Sequence, residues 1–399
     1  MLKKIASNTL AQLVAKFFGA GLTLLTTYYT IRLAGIDLYG DLTKILVLVA
    51  VGFTAIDFGL NAEVIRSSKT DAGMRKNLDR VIVARLLISG AIILFLNLVV
   101  SFLPGGYSPA VKSVFWVGSL AILFQGIYTS SNSWFQYQLG YWKSTLSVVF
   151  GSLVGTVLTL YFLKNSPTLI NFVLANTLGY LVMSLCSLFM LPSWPKLSGS
   201  LWPAFSLIRN SLILGLILIA SVLASKIDTV ILGIFRSSGE VGEYGFAYRI
   251  FDVILVLPVF VMNIIYPLSL RESKSSDQPS LMSKTTKVLA LIAIPTAILL
   301  YALAPSINVV KPGLTIAISV LRVLAISLPL FYVTAPLMWN LIAKKRDKLV
   351  LVVYLLATLV NVTLNLIFIP RFGAVVAAIN TGFTELFIFL ALLYFSRSL

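Results

Sequence analysis

Leu86-Leu87-Ile88-Ser89-Gly90-Ala91-Ile92-Ile93-Leu94-Phe95-Leu96-Asn97-Leu98-Val99-Val100 opens a stretch without a charged residue as far as Val111. A helix rises 1.5 Å per residue, so about 20 such residues cross the hydrocarbon of a bilayer. Ser113 to Trp142 and Asn165 to Pro195 are equally free of charge. The 399-residue chain is 58% hydrophobic and 11% charged, with mean hydropathy +0.96. Soluble domains carry about 25% charged residues. No series of short alternating segments suggests a β-barrel. The expected fold is all-α, a polytopic membrane protein.

Apolar runs between charged or Pro/Gly-rich loops predict twelve helices. In the first half they cover 5–32, 41–65, 84–103, 112–137, 144–163 and 168–191; in the second, 210–235, 244–270, 286–304, 316–343, 349–369 and 373–396. The run from Ile5 to Ile31 is too long for a signal peptide and reads as a retained helix. Threading the spans places 20 Lys and Arg on one side of the bilayer and 6 on the other. Cytoplasmic loops hold the excess of positive charge, so both termini are expected in the cytoplasm. The longest non-membrane segments, Arg66 to Arg85 and Pro192 to Arg209, are short and fall on that side. The formal charge of +17 is thus a signal of orientation, and nucleic acid is not an expected partner.

The chain has no histidine and one cysteine, Cys186. Imidazole ligands, Ser-His pairs, thiol clusters and an intramolecular disulfide are excluded. No G-x-x-x-x-G-K-[ST] loop occurs either. The expectation is no metal, no cofactor and no catalytic residue: a protein that is not an enzyme.

The two halves repeat. Tyr39-Gly40-Asp41-Leu42-Thr43-Lys44-Ile45 matches Tyr244-Gly245-Phe246-Ala247-Tyr248-Arg249-Ile250 at an offset of 205, which also pairs Arg66 with Arg271 and Lys143 with Lys348. Six helices per half keep both halves in one orientation, as in parallel-repeat transporters related by an axis along the membrane normal. The expected organisation is an N-terminal lobe over 1–191, a cytoplasmic linker over 192–209 and a C-terminal lobe over 210–399.

Seven charges interrupt four of the apolar runs: Lys16, Lys44, Asp57, Lys226, Asp228, Arg249 and Asp252. A charge at the centre of a membrane helix costs about 2.5–3.5 kcal/mol on insertion scales. Their concentration points to one hydrated cavity. Lys16 is too deep in its run to reach the interface readily. Lys44 and Arg249 occupy equivalent repeat positions and are open to a snorkelling role as well. Arg249 and Asp252 are spaced to neutralise each other, while Asp228 with Arg249 is a second arrangement. Asp57 is a candidate partner of Lys16 or a coupling-ion ligand. Glu385 is a candidate ion-coupling or packing carboxyl. Pro258, Pro267, Pro295, Pro329 and Pro336 fall within helices of the second half and permit bending.

Several stretches resemble the polysaccharide transporter branch of the multidrug/oligosaccharidyl-lipid/polysaccharide exporter superfamily, the O-antigen-type flippases. They are Arg32 to Gly40 with Asp57-Phe58-Gly59-Leu60 and Arg66; Lys226-Ile227-Asp228-Thr229-Val230-Ile231-Leu232-Gly233 leading into Glu240-Val241-Gly242-Glu243-Tyr244; Tyr266-Pro267; and Asn365 through Pro370-Arg371-Phe372-Gly373-Ala374 to Glu385. Val376 and Asn380 depart from the family's usual ending. The resemblance implies a two-lobed flippase that carries undecaprenyl-pyrophosphate-linked oligosaccharide to the outer leaflet of the bacterial inner membrane by alternating access. It also implies membrane lipids and a polysaccharide polymerase complex as partners. On that reading Lys16, Lys44, Lys226, Arg249, Asp228 and Asp252 line the substrate site, and Asp57 and Glu385 are candidates for ion coupling. The rivals are a cation-coupled multidrug exporter of the same superfamily and a membrane-embedded polymerase or ligase.

Overall fold

The computed structural model describes residues 18–196, 201–269 and 281–397. Lys16, Lys3 and Lys4 lie outside the described residues. Those described are almost wholly helical and include no strand. In hydrocarbon every backbone N–H and C=O must find its partner within the segment, which favours helices.

The order begins with α1 (residues 18–29), which continues as a π-helical turn over Thr30–Ala34. There follow α2 (Ile36–Asp57), the short α3 (Leu60–Ser67), α4 (Asp71–Phe102), α5 (Pro109–Tyr137), α6 (Tyr141–Asn165) and α7 (Leu169–Phe189). Next come α8 (Leu201–Phe235), α9 (Ser238–Ser269), α10 (Leu281–Leu303), α11 (Thr315–Ala343) and α12 (Asp347–Arg397). Ten of these are long and apolar enough to cross a membrane. α12 divides at Gly373, so with α1 the helices follow the expected sequence of spans.

Contacts divide the chain into two compact units, Met1–Ile219 and Ala220–Leu399, with the division inside α8. In the first unit Leu60, Val64, Met74, Leu78, Val81, Ile82, Trp134 and Phe135 form a buried core. α6 and α7 approach closely because Gly151, Gly155 and Gly179 meet; a Cβ on Gly151 would stand 2.6 Å from the Gly179 carbonyl.

Two starts differ from expectation. α4 begins at Asp71, capped by Thr70, whose side chain accepts from Gly73 N, so the stretch from Arg66 to Arg85 is largely helix and Arg85 is an interior residue of α4. α8 is helical from Leu201, inside the expected linker. In both cases the helix continues beyond the apolar stretch, because charged residues tolerate helix where one face is still covered.

Candidate functional site

In the second unit, α9 presents Tyr244, Tyr248, Phe251 and Asp252 on one face, since residues three and four apart are neighbours on a helix. α8 brings Lys226 and Asp228 against that face. Lys226 Nζ donates to Asp252 at 3.0 Å (Oδ1) and 2.8 Å (Oδ2). The two side chains are 23% and 44% exposed, so the pair is accessible. The ammonium also lies 4.8 Å from the centroid of the Tyr248 ring, an attraction between cation and ring quadrupole.

Asp228, two residues on, is fully buried. Its Oδ2 accepts from Tyr244 (2.5 Å), Tyr248 (3.1 Å) and Thr381 of α12 (2.8 Å). Its Oδ1 accepts from the Thr229 amide at 2.5 Å and hydroxyl at 3.1 Å. Hydroxyl dipoles thus solvate a carboxylate that water does not reach. Tyr248 joins the two groups, with the cation near its ring and the carboxylate at its hydroxyl.

Beside Thr381 runs a ladder of buried amides between the two halves of α12. Asn380 Nδ2 donates to Asn365 at 2.9 Å, Asn365 Nδ2 to Asn361 at 2.8 Å, and Asn361 Nδ2 to Thr384 at 3.0 Å. Where the halves meet, Gly373 has φ +69° and ψ −147°, a region open essentially to glycine alone. Glu240 accepts there from the Ala374 amide at 2.6 Å and from Arg236 Nε at 2.8 Å, and Arg236 Nη1 reaches the Pro370 carbonyl at 3.4 Å. Both broken helix ends are thereby capped.

The first unit holds a second discontinuity. α2 ends at Asp57, and the chain passes through Phe58 (φ 45°) and Gly59 (φ 67°) into α3. Arg85, 1% exposed, closes that end. Its Nε donates to the Ile56 carbonyl (3.2 Å), Nη1 to Ser130 Oγ (3.2 Å), and Nη2 to the Asp57 carbonyl (3.4 Å) and Oδ1 (3.1 Å). Lys44 is buried nearer the start of α2. It donates to the Gly106 carbonyl at 2.7 Å and Asp41 at 3.1 Å, and lies 5.8 Å from the Tyr107 ring centroid.

The structure therefore brings Lys226, Asp228 and Asp252 together around Tyr248. Asp252 meets Lys226, Asp228 is met by hydroxyls, and Asp57 is met by Arg85, which the sequence reading sets among the cytoplasmic loop charges. Arg249 is half-buried on α9 next to Tyr248. Glu385 sits against Thr334 of α11. The involvement of Arg85 was legible in its spacing: Met74, Leu78, Val81, Ile82, Arg85 and Ser89 form one buried helical stripe. Thr381 and the three asparagines carry no charge and gave no such signal.

Residues 31–311 match the family described as polysaccharide biosynthesis protein. No curated relative was found. Among solved structures, a lipid II flippase MurJ in an inward closed conformation superposes with TM-score 0.78 at 17% identity, over 96% of this chain and 87% of that one. An inward-facing multidrug resistance MATE transporter of the MOP superfamily gives 0.74 at 15% identity, over 97% of each chain. A point mutant of the Vibrio cholerae MATE transporter VcmN gives 0.65 at 12% identity, over 100% of this chain and 97% of that one. At these identities the likeness is one of fold.

Proposed function

Because the chain belongs to the polysaccharide biosynthesis protein family, we propose that it is a flippase for polyprenyl-pyrophosphate-linked oligosaccharide. It carries the headgroup of a surface-polysaccharide repeat unit from the cytoplasmic to the outer leaflet of a bacterial inner membrane, by alternating access and without making or breaking a bond. Both termini are cytoplasmic, and a polysaccharide polymerase complex receives the product.

The observation that carries this reading is the accessible Lys226–Asp252 pair beside Tyr248. A pyrophosphate needs a cation that survives desolvation and can exchange partners. Asp252 holds Lys226 in place until the anion arrives, and the buried Tyr248 ring fixes the ammonium from beneath. Asp228 anchors the tyrosines from behind. Arg249, on the helix that carries Tyr248 and Asp252, supplies further positive charge. Asp57 and Glu385 are the carboxyls available for ion coupling. The membrane voltage can itself drive the export of two negative charges, at about 4.6 kcal/mol per 100 mV.

The test is translocation of a lipid-linked oligosaccharide in reconstituted vesicles. Lys226→Gln is expected to slow flipping at least about tenfold, the loss of one charge-assisted hydrogen bond of ~1.5–3 kcal/mol. Lys226→Arg retains most activity. Unchanged flipping in Lys226→Gln would reject the site. Transport of cationic dyes in place of the glycolipid would favour the drug-exporter reading.

A further inference from the structure

The first unit contains a cavity of about 320 Å³ at the turn between α5 and α6, lined by Trp134, Phe135, Gln138, Gly140, Lys143 and Pro192. Lys143 is held in a defined place. Its Nζ donates to the Met190 carbonyl at 3.1 Å and lies 5.9 and 5.8 Å from the ring centroids of Phe135 and Trp142. That uses one of three N–H donors. Lys44 and Lys226, also placed beside aromatic rings, each have a carboxylate partner. Among the described residues Lys143 forms no ion pair and none that lines its cavity is a carboxylate. An anchored ammonium beside a cavity, with one donor bonded to Met190, can turn two further donors toward an anion.

The surroundings identify the class of anion. Lys143 stands in the first turn of α6, whose exposed residues Trp142, Phe150, Leu153, Val157 and Tyr161 form one stripe at helical spacing. This stripe faces away from the protein along most of the helix and begins beside the ammonium. Exposed Trp194 and Phe189 stack edge to face on the stretch that includes Pro192, with ring centroids 5.4 Å apart. Exposed aromatic rings near a basic residue mark the headgroup level of a membrane. Lys143 belongs to the cation-rich side of the chain, where anionic lipids are attracted.

We propose that this cavity binds the phosphate of an anionic glycerophospholipid, with its acyl chains laid along the outer stripe of α6. The cavity admits a phosphate and its glycerol, not a whole lipid. Bound there, the lipid would fasten the α5–α6 turn to the end of α7, through Lys143 and the Met190 carbonyl.

Native mass spectrometry of the full chain in neutral detergent tests this, with phosphatidylglycerol and phosphatidylcholine as probes. The wild type is expected to retain one phosphatidylglycerol and to release phosphatidylcholine. Lys143→Gln is expected to weaken retention about tenfold, Lys143→Arg to preserve it, and the exposed repeat counterpart Lys348→Gln to leave it unchanged. Trp142→Ala keeps the Met190 bond and is expected to weaken retention several-fold, which separates lipid binding from a folding defect. Equal retention of the two lipids, or no loss in Lys143→Gln, overturns the proposal. So does displacement by millimolar inorganic phosphate, which would make the site one for free anions. Preferential displacement by a polyprenyl diphosphate would assign the cavity to the transport substrate instead.

Discussion

Replacing Arg85 by methionine keeps much of the length of the side chain and deletes its guanidinium. Two of the bonds lost go to the carbonyls of Ile56 and Asp57, the last residues of α2. The chain turns away at Phe58, so no following turn of helix satisfies them. The buried Ile56 carbonyl left unpaired costs about 1–3 kcal/mol, and the part-buried Asp57 carbonyl, whose bond is long, adds about 1 kcal/mol. Ser130 still donates to the Gly126 carbonyl. The Asp57 side chain is 43% exposed and regains water, so its lost ion pair adds little. The expected loss is therefore ~2–4 kcal/mol for Arg85→Met, against ~1 kcal/mol or less for Asp57→Asn, where the carbonyl bonds persist. Equilibrium unfolding of the purified protein in mixed micelles measures both. Arg85→Met within about 0.5 kcal/mol of wild type would refute the capping argument, since that is the scatter of neutral substitutions. An Asp57→Asn variant as unstable as Arg85→Met would show instead that the ion pair dominates.

Asp228→Ala leaves four hydroxyls aimed at an empty position and is expected to cost ~3 kcal/mol or more by the same unfolding assay. Asp228→Asn should be milder yet still destabilising, because its NH2 must face donors; a neutral result would show the carboxylate is protonated in place. Gly373→Ala meets both a forbidden backbone region and a collision with Glu240 Oε1, so a loss of ~1–3 kcal/mol is expected; if Glu240→Ala relieved it fully, sterics alone would be responsible. Asn380→Ala breaks the amide ladder at its link to Asn365 and should cost ~0.6–1.7 kcal/mol, the range of interhelical bonds in membranes. No change there would mean Asn365 finds another donor.

Much of the fold was legible because each apolar run is its own evidence. α5, α6 and α11 fall within a few residues of the expected spans, since a bilayer sets their length. α4 and α8 begin earlier than read, because Asp71 to Arg85 and Leu201 to Arg209 are polar enough to pass for loop while still folding as helix. The candidate site was legible only as a set of charges. Lys226, Asp228 and Asp252 stood out because charge is rare in hydrocarbon. Tyr244 appeared as a mark of the repeat, and its bond to Asp228 could not be inferred from that.

Composition and periodicity alone determined that this chain is a doubled bundle of membrane helices with a few buried charges, because a helix in lipid satisfies its backbone from within and needs no neighbour to declare itself. Which charge meets which partner was decided by tertiary packing. The rotation of α8 against α9 sends Lys226 to Asp252 and Asp228 to the tyrosines, and the break after α2 opens carbonyls to Arg85. A side chain's partner depends on the facing helix, and that information is spread over residues far apart in the sequence.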